Sequence, residues 1–187
     1  LLATRDKIKL GRETLRELLR TAGIKAKQQK RRSPYRSRRE RKPAMGMMLQ
    51  IDASFHRWLQ DRAEPFAMMG AVDDATGYTW GHFCARETTW GYLELMHKVL
   101  TTHGVPLSLY SDRHTIFHVL REATIVEQLK DVAPLTQFGR AMDELGVTII
   151  KAWSPQAKGR IERRWRDLQD RLVVELGMAA VSTVAEA

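Results

Sequence analysis

Only one cysteine, Cys84, occurs in the 187 residues. That scarcity excludes an intrachain disulfide and any multi-cysteine zinc site, and it fits a reducing, cytosolic chain. No apolar run approaches the ~18 residues of a membrane span, so no membrane partner is expected. The start, Leu-Leu, has no signal-peptide layout. With no Met at the front and an unpunctuated Val-Ala-Glu-Ala at the back, the chain reads as a piece of a longer protein. Acidic residues are scarce at one end only. Residues 1–43 hold 16 Lys and Arg against 4 Asp and Glu, whereas the remainder holds 15 against 18. The formal charge of +9 is therefore the sum of a +12 segment and a −3 segment. A basic end joined to a near-neutral, acidic-centred region suits a polyanion held by the first and worked on by the second. A merely solubilising end is the competing reading. The length allows one substantial core with room for a small extra element.

Arg12 to Gly23 has the pattern of a short helix, with Leu15, Leu18 and Leu19 on its apolar face and Gly23 as its stop. It suits the last helix of a helix-turn-helix unit and, equally, any surface helix. Ile24 to Lys42 carries ten Lys or Arg and one acid, with Ser33-Pro34 and Pro43 and almost nothing to bury. Such an arm gives salt-dependent, sequence-independent DNA affinity by counterion release; a nuclear-localisation tract is the alternative. From Met47 the texture changes. Strands are predicted at 47–54, with Asp52 near the end, at 66–72 and at 78–85, the last two joined by the turn Asp73-Asp-Ala-Thr-Gly77. A helix over 88–103 follows, with Trp90, Leu93, Met96, His97 and Leu100 on one face. Next come a strand over 105–111 with Asp112 just after it, a helix over 134–146 and a strand over 147–150. Ser154-Pro155 signals the start of a last helix, on which Ile161, Trp165, Leu168, Leu172 and Leu176 form an apolar stripe. Glu162 sits at the border of that stripe, with Lys158, Arg166 and Gln169 on its side of the helix.

Asp52, Asp112 and Glu162 stand out by position. Asp is disfavoured in strands, and the carboxyl ends of neighbouring strands in an open sheet converge on one edge, where sites form. Three carboxylates brought together repel unless cations lie between them. Hard divalent ions such as Mg²⁺ take oxygen ligands, and two of them can clamp the attacking and leaving oxygens of an in-line phosphoryl transfer.

This element order, with acids 60 and 50 residues apart, resembles the ribonuclease H-like core of DDE transposases and retroviral-type integrases. Leu49-Gln-Ile-Asp-Ala-Ser-Phe-His-Arg-Trp, Val72-Asp-Asp-Ala-Thr-Gly, Leu109-Tyr-Ser-Asp and Ser154-Pro-Gln-Ala-Lys-Gly-Arg-Ile-Glu-Arg are similar to bacterial insertion-sequence transposases of the ISNCY type, as is Leu168-Gln-Asp-Arg-Leu. The resemblance covers roughly Arg12 to Leu176. It implies an α/β fold, a ribonuclease H-like mixed five-stranded sheet flanked by helices and preceded by a basic helix and arm. It implies strand cleavage and strand transfer on DNA, with water and then a 3′-hydroxyl attacking a phosphodiester in line. Asp52, Asp112 and Glu162 would be the catalytic residues and the ligands of two Mg²⁺, with Mn²⁺ as the expected substitute. The partners implied are double-stranded DNA, at transposon ends and target, and further copies of the chain in a homodimer or larger assembly. The implied setting is bacterial, cytoplasmic and nucleoid-associated. Arg31, Arg32, Arg36, Arg38 and Arg39 in the arm, and Lys158, Arg160, Arg163 and Arg166 around the last helix, are the expected DNA contacts. The expected layout is the end of a helical DNA-binding domain over 1–23, a basic arm over 24–45, the catalytic core over 46–178 and the start of a further region over 179–187. The earlier DNA-binding helices and a C-terminal domain of the family are missing from the sequence.

Several residues have a second reading. Asp73-Asp74 is expected to serve the hairpin turn rather than a metal. His114 and His118 have the spacing of a helical zinc pair but lack further ligands, and are expected at the rim of the site. His56 and Trp58 could stack on a splayed base, or Trp58 could cap the core. Met47, Met48, Met68 and Met69 are expected as core filler. Two other functions stay open: a structure-specific nuclease of the same fold, which would cleave without joining, and a DNA-binding regulatory remnant without catalysis.

Overall fold

The computed structural model describes residues 9–24, 40–129, 133–152 and 159–187. The chain forms two compact units, Leu1–Ser37 and Arg38–Ala187. In the first, helix α1 (Arg12–Thr21) ends where expected, with Gly23 following at a φ of +71°.

In the second unit, β1 (Leu49–His56), β2 (Phe66–Asp73) and β3 (Thr79–Cys84) form an antiparallel meander. Helix α2 (Thr89–His103) leads to β4 (Ser108–Ser111). A short α3 (Ile125–Leu129) and α4 (Gln137–Glu144) precede β5 (Thr148–Lys151), and α5 (Gly159–Met178) closes the series. The sheet order is β3-β2-β1-β4-β5, with β4 parallel to both β1 and β5. This is the mixed five-stranded sheet expected from the sequence. α3 and a 3₁₀ turn at Gln60–Arg62 were not foreseen, because runs this short carry no period.

Strand alternation divides the core between the two sheet faces. Leu49, Ile51, Met69, Ala71 and Leu109 turn to one face, where Tyr92, Leu95, Met96 and Val99 of α2 and Phe138 and Met142 of α4 cover them. Phe66, Met68 and Val72 turn to the other, under Ile161, Trp165, Val173 and Leu176 of α5. Trp58 belongs to this second cluster and is fully buried, so it caps the core and cannot stack on a base. Its indole donates to the Ser54 carbonyl, and His56 meets it edge-on. Met48, Met68 and Met69 are buried as expected.

The buried face of α2 differs from the expected one. Gly91, Tyr92, Leu95, Met96 and Val99 point inward, while Trp90 is 69% exposed and His97 is exposed. The cause is a close approach at Gly91. A Cβ there would lie 2.2 Å from Met69 Cε and 2.9 Å from Cys84 Sγ, so the helix rests on the sheet through its glycine. Counting apolar side chains cannot reveal a contact made by the absence of one.

Both ends of the second unit are tied in. The Lys42 and Gly46 amides donate to Asp74 and Asp73, so the end of the stretch expected as arm is tied to the β2–β3 turn. Val181 and Val184 pack against the α5 cluster, and Arg62 donates to the Val181 carbonyl. Val181 and Val184 belong to the stretch 179–187 that was expected to open a further region.

Candidate active site

The β1–β4 ladder pairs Leu49 with Leu109 and Gln50 with Tyr110, and then stops. Continued by two residues, the same register sets Asp52 level with Asp112. Parallel partners at one level present their side chains to the same face. Asp52 therefore stands at the end of this ladder but not near the end of its strand, as the sequence had suggested. β1 runs on to His56 because β2 keeps pairing with it as far as Phe66. Asp112 follows β4 directly, as expected. Both acids are half-buried. The carboxylate of Asp112 accepts from the His114 amide at 3.0 Å, a local turn bond. The loop beyond is anchored by Phe117, whose ring meets Tyr92 and Phe138 edge-on at centroid distances of 4.7 and 5.4 Å.

α5 is locked to β1 by a matched set of bonds. The Ile161 amide donates to Gln50 Oε1 at 3.3 Å, Trp165 Nε1 to Asp52 Oδ2 at 3.3 Å, and Gln169 Nε2 to Ser54 Oγ at 3.0 Å. Steps of four on the helix meet steps of two on the strand. Four helical residues rise about 6.0 Å and two strand residues about 6.6 Å, so the two repeats stay in phase. Gly70 makes room for this contact. It pairs with Asp52 across the strands, and a Cβ on it would come within 2.3 Å of the Trp165 ring.

Glu162 is exposed on the first turn of α5. On the same helix Arg160 pairs with Asp74, and Arg164 donates to the Gly77 carbonyl at 2.8 Å; both acceptors lie in the β2–β3 turn. These two arginines mark the flank facing β2 and β3. At about 100° per residue, Glu162 and Arg166 stand roughly 200° and 240° around from Arg160, on the opposite flank. In the sheet order that flank looks toward β4 and Asp112. The three acids do not form a cluster with ligand atoms within 4.8 Å of one another. Among the described residues the only trio of potential metal ligands within 4.8 Å of one another is a different one, His82, Cys84 and Glu94. Mutual repulsion opposes closer approach of three carboxylates.

The surroundings add residues that motif reading missed. Tyr92 is fully buried, and its hydroxyl donates to Glu87 at 2.8 Å. Burial first, then Glu87, and then the charges of Asp52 and Asp112 push its phenol above the usual tyrosine range. One buried group therefore feels both aspartates. His118 Nε2 lies 3.0 Å from Ser111 Oγ, and its pKa falls below the usual histidine value through burial and nearby Lys151, against the opposing pull of Asp112. Gln50 and Ser54, two residues either side of Asp52, are buried polar groups on a strand, and that alternation was the available signal.

The expected DNA contacts divide three ways. Arg163 and Arg166 are exposed on α5. Arg160 is instead engaged with buried Asp74, with its side chain only 23% exposed, so its cation serves the fold. Arg31, Arg32, Arg36, Arg38, Arg39 and Lys158 lie outside the described residues, as does the Ser154-Pro155 helix start. Asp73 and Asp74 have the turn role expected of them. Asp73 caps Thr76 through its amide and hydroxyl, each at 2.8 Å.

The donor set of Asp52, Asp112 and Glu162 is all carboxylate oxygen and partly open to solvent. That chemistry fits a hard divalent cation, which takes oxygen ligands and keeps several waters, better than a soft one.

No family model matches the chain. Over 181 residues it is 39% identical to a Sinorhizobium fredii (strain NBRC 101917 / NGR234) protein assigned as the transposase y4bF, which covers 96% of this chain and 38% of that one. Over 150 residues it is 36% identical to the transposase for insertion sequence IS1202 of Streptococcus pneumoniae, covering 80% of this chain and 31% of the relative. The chain thus spans well under half the length of these curated relatives. Among solved structures, the HTLV-2 integrase catalytic core domain in complex with magnesium matches with a TM-score of 0.56 at 13% identity, over 75% of this chain and 78% of that one. The fold is that of integrase catalytic cores, ribonuclease H-like.

Proposed function

We propose that this relative of insertion-sequence transposases holds the catalytic core of a DDE-type polynucleotidyl transferase, which cleaves DNA strands and joins them to a target. What supports the reading is the β1–β4 ladder, whose register continued by two residues sets Asp52 level with Asp112, together with Glu162 exposed on the first turn of α5. These three residues would hold two Mg²⁺, or Mn²⁺ in their place. Such ions, when bound, neutralise charge on the attacking and leaving oxygens of a phosphodiester. The chain's own part is positioning. Trp165 orients Asp52, the His114 amide orients Asp112, and Gln50 and Gln169 hold α5 in phase with β1 so that Glu162 stays at the border of the core. In-line attack by water would free a 3′-hydroxyl, and that hydroxyl would attack the target strand.

The DNA is double-stranded, from transposon ends and target. Arg163, Arg166, Lys158 and the arginines of the basic arm are the groups assigned to its phosphates. Joining two ends calls for a dimer or larger assembly of the chain. In this reading residues 1–23 close a DNA-binding domain, the basic segment is its arm, and the second unit is the catalytic core. No helix among the described residues is long and apolar enough to cross a membrane, and the setting proposed is the bacterial cytoplasm, on the nucleoid.

The test is a cleavage-and-joining assay on the longer parent protein, with labelled DNA from the flanks of its own gene, Mg²⁺ or Mn²⁺, and Glu162→Gln beside wild type. Nicking and joining, both lost in the variant, are expected. Cleavage without joining would favour a nuclease. Salt-sensitive binding with no cleavage in either metal would favour a regulatory remnant and overturn the proposal.

A further inference from the structure

We propose that His82, Cys84 and Glu94 form a separate metal site that takes one borderline cation of the Zn²⁺ kind and clasps edge strand β3 to α2. His82 and Cys84 stand two apart on β3 and so share a face, and Glu94 reaches them from α2. One ligand atom from each lies within 4.8 Å of the others, and all three residues are half-buried. His82 Nε2 lies 2.6 Å from Glu94 Oε2, yet this buried nitrogen makes no hydrogen bond. A buried nitrogen packed against a carboxylate without a hydrogen bond is rare enough to need a cause, and a shared role as ligand atoms for one ion supplies it.

The surroundings are arranged as a metal site requires. Trp90 Nε1 donates to Glu94 Oε1 at 2.9 Å, which fixes the carboxylate and leaves Oε2 turned to the histidine. Gly91 clears the space in which the sulfur lies, since a Cβ there would be 2.9 Å from Cys84 Sγ. A tetrahedral zinc ion, with Zn–N and Zn–O near 2.0–2.1 Å and Zn–S near 2.3 Å, sets its ligand atoms about 3.3–3.6 Å apart. An ion would draw the three ligand atoms, now within 4.8 Å of one another, to that spacing, with water as the fourth ligand. A mixed nitrogen, sulfur and oxygen set selects zinc or cobalt over magnesium. A thiolate and a carboxylate cancel the charge of a divalent ion, so the loaded site is neutral in a half-buried place.

This site is distinct from the Asp52 region and does not rest on the proposed activity. β3 is the outermost strand, with β2 between it and β1. Cys84 packs with the α2 cluster, whereas Asp52 faces α5. An edge strand is the weakest-held part of a sheet, and a metal tie to the covering helix would secure it.

Cobalt titration of the whole chain tests the idea. Cys84 is the sole cysteine, so thiolate-to-cobalt charge-transfer absorption reports on this site alone. We expect that absorption to saturate at one equivalent of Co²⁺, to vanish in Cys84→Ser, and to need roughly tenfold or more metal in His82→Gln and Glu94→Gln. Zn²⁺ should displace the cobalt and, in excess, raise the wild-type Tm by about 5 °C or more, leaving Cys84→Ser unmoved. Asp112→Asn should keep both signals. Absence of the absorption in folded wild type at one equivalent overturns the proposal. So does an unchanged affinity in folded His82→Gln, which would mean a lone thiol picking up metal.

Discussion

Two pairs of aspartates, Asp73 with Asp74 in the β2–β3 turn and Asp52 with Asp112 where β1 and β4 part, differ sharply in their surroundings. Asp73 and Asp74, in the β2–β3 turn, are 0% and 1% exposed. Asp73 accepts from the Thr76 amide and hydroxyl and from the Gly46 amide at 2.9 Å. Asp74 accepts from the Lys42 amide at 2.8 Å, Gln50 Nε2 at 3.0 Å and Arg160. Those donors replace the water lost on burial, which makes these carboxylates part of the fold. Asp52 and Asp112 are oriented by Trp165 and the His114 amide but keep solvent access, so an outside cation can still reach them. A buried, fully satisfied carboxylate holds structure, and under the proposed function the half-buried pair is the one that meets a cation. Gln50 links the structural pair to α5, since its amide donates to Asp74 and accepts from the Ile161 amide beside Glu162. The structural pair thereby fixes the helix that carries the third acid.

The comparison breaks most decisively at Asp112. Asp112→Asn should lower strand nicking by roughly three orders of magnitude or more, the scale of removing one member of a catalytic unit. Its Tm should stay within about 2 °C of wild type, because a half-buried oriented acid contributes little to folding. Asp74→Ala should do the reverse in kind. It removes the carboxylate that pairs with Arg160 and accepts from the Gln50 amide, and breaking a buried pair costs about 3–5 kcal/mol. A Tm drop of about 10 °C in thermal unfolding follows for a domain of this size. A stable Asp74→Ala beside a melted Asp112→Asn would exchange the two roles.

Much of this arrangement was visible in the sequence, for identifiable reasons. The β2–β3 hairpin announced itself because Asp73-Asp-Ala-Thr-Gly77 punctuates two apolar runs, and Asp112 was conspicuous as an acid at a strand end. The α5 stripe was legible because Ile161, Trp165 and Leu176 repeat at helical spacing and are buried. What escaped was anything decided between elements. Gly91 turned α2 away from its apparent apolar face. Trp165 read as core alone, although its indole edge also reaches Asp52. Arg160 read as one more basic residue, whereas its partner lies 86 positions away in the hairpin. His82, Cys84 and Glu94 form no motif in sequence, because a strand and a helix bring them together.

Gly70→Ala sharpens the comparison with a smaller effect. The added methyl would meet the Trp165 ring, which is bulky and packed, so α5 must shift. Overpacking of this kind costs about 1–3 kcal/mol. Because the same ring orients Asp52, nicking should fall more than the loss of folded protein explains, when rate per folded molecule is compared with Tm. A normal rate per folded molecule would mean that α5 docking does not position the acids.

The smallest expected effect separates cations that hold the fold from cations that hold DNA, the same distinction drawn above for the acids. Arg163 and Arg166 are exposed and Arg160 is paired with Asp74. If the first two contact phosphate, Arg163→Ala and Arg166→Ala should each weaken DNA binding across sequences. Each should also reduce the slope of log affinity against log salt by about one. Arg160→Ala should leave that slope unchanged and lower Tm instead, because it removes the partner of a buried carboxylate. Binding titrations at several salt concentrations, run beside thermal unfolding, measure both quantities. A slope that moves with Arg160 but not with Arg166 would show that the flank toward the hairpin, and not the flank of Glu162, faces the DNA. The proposed site would then point away from its substrate.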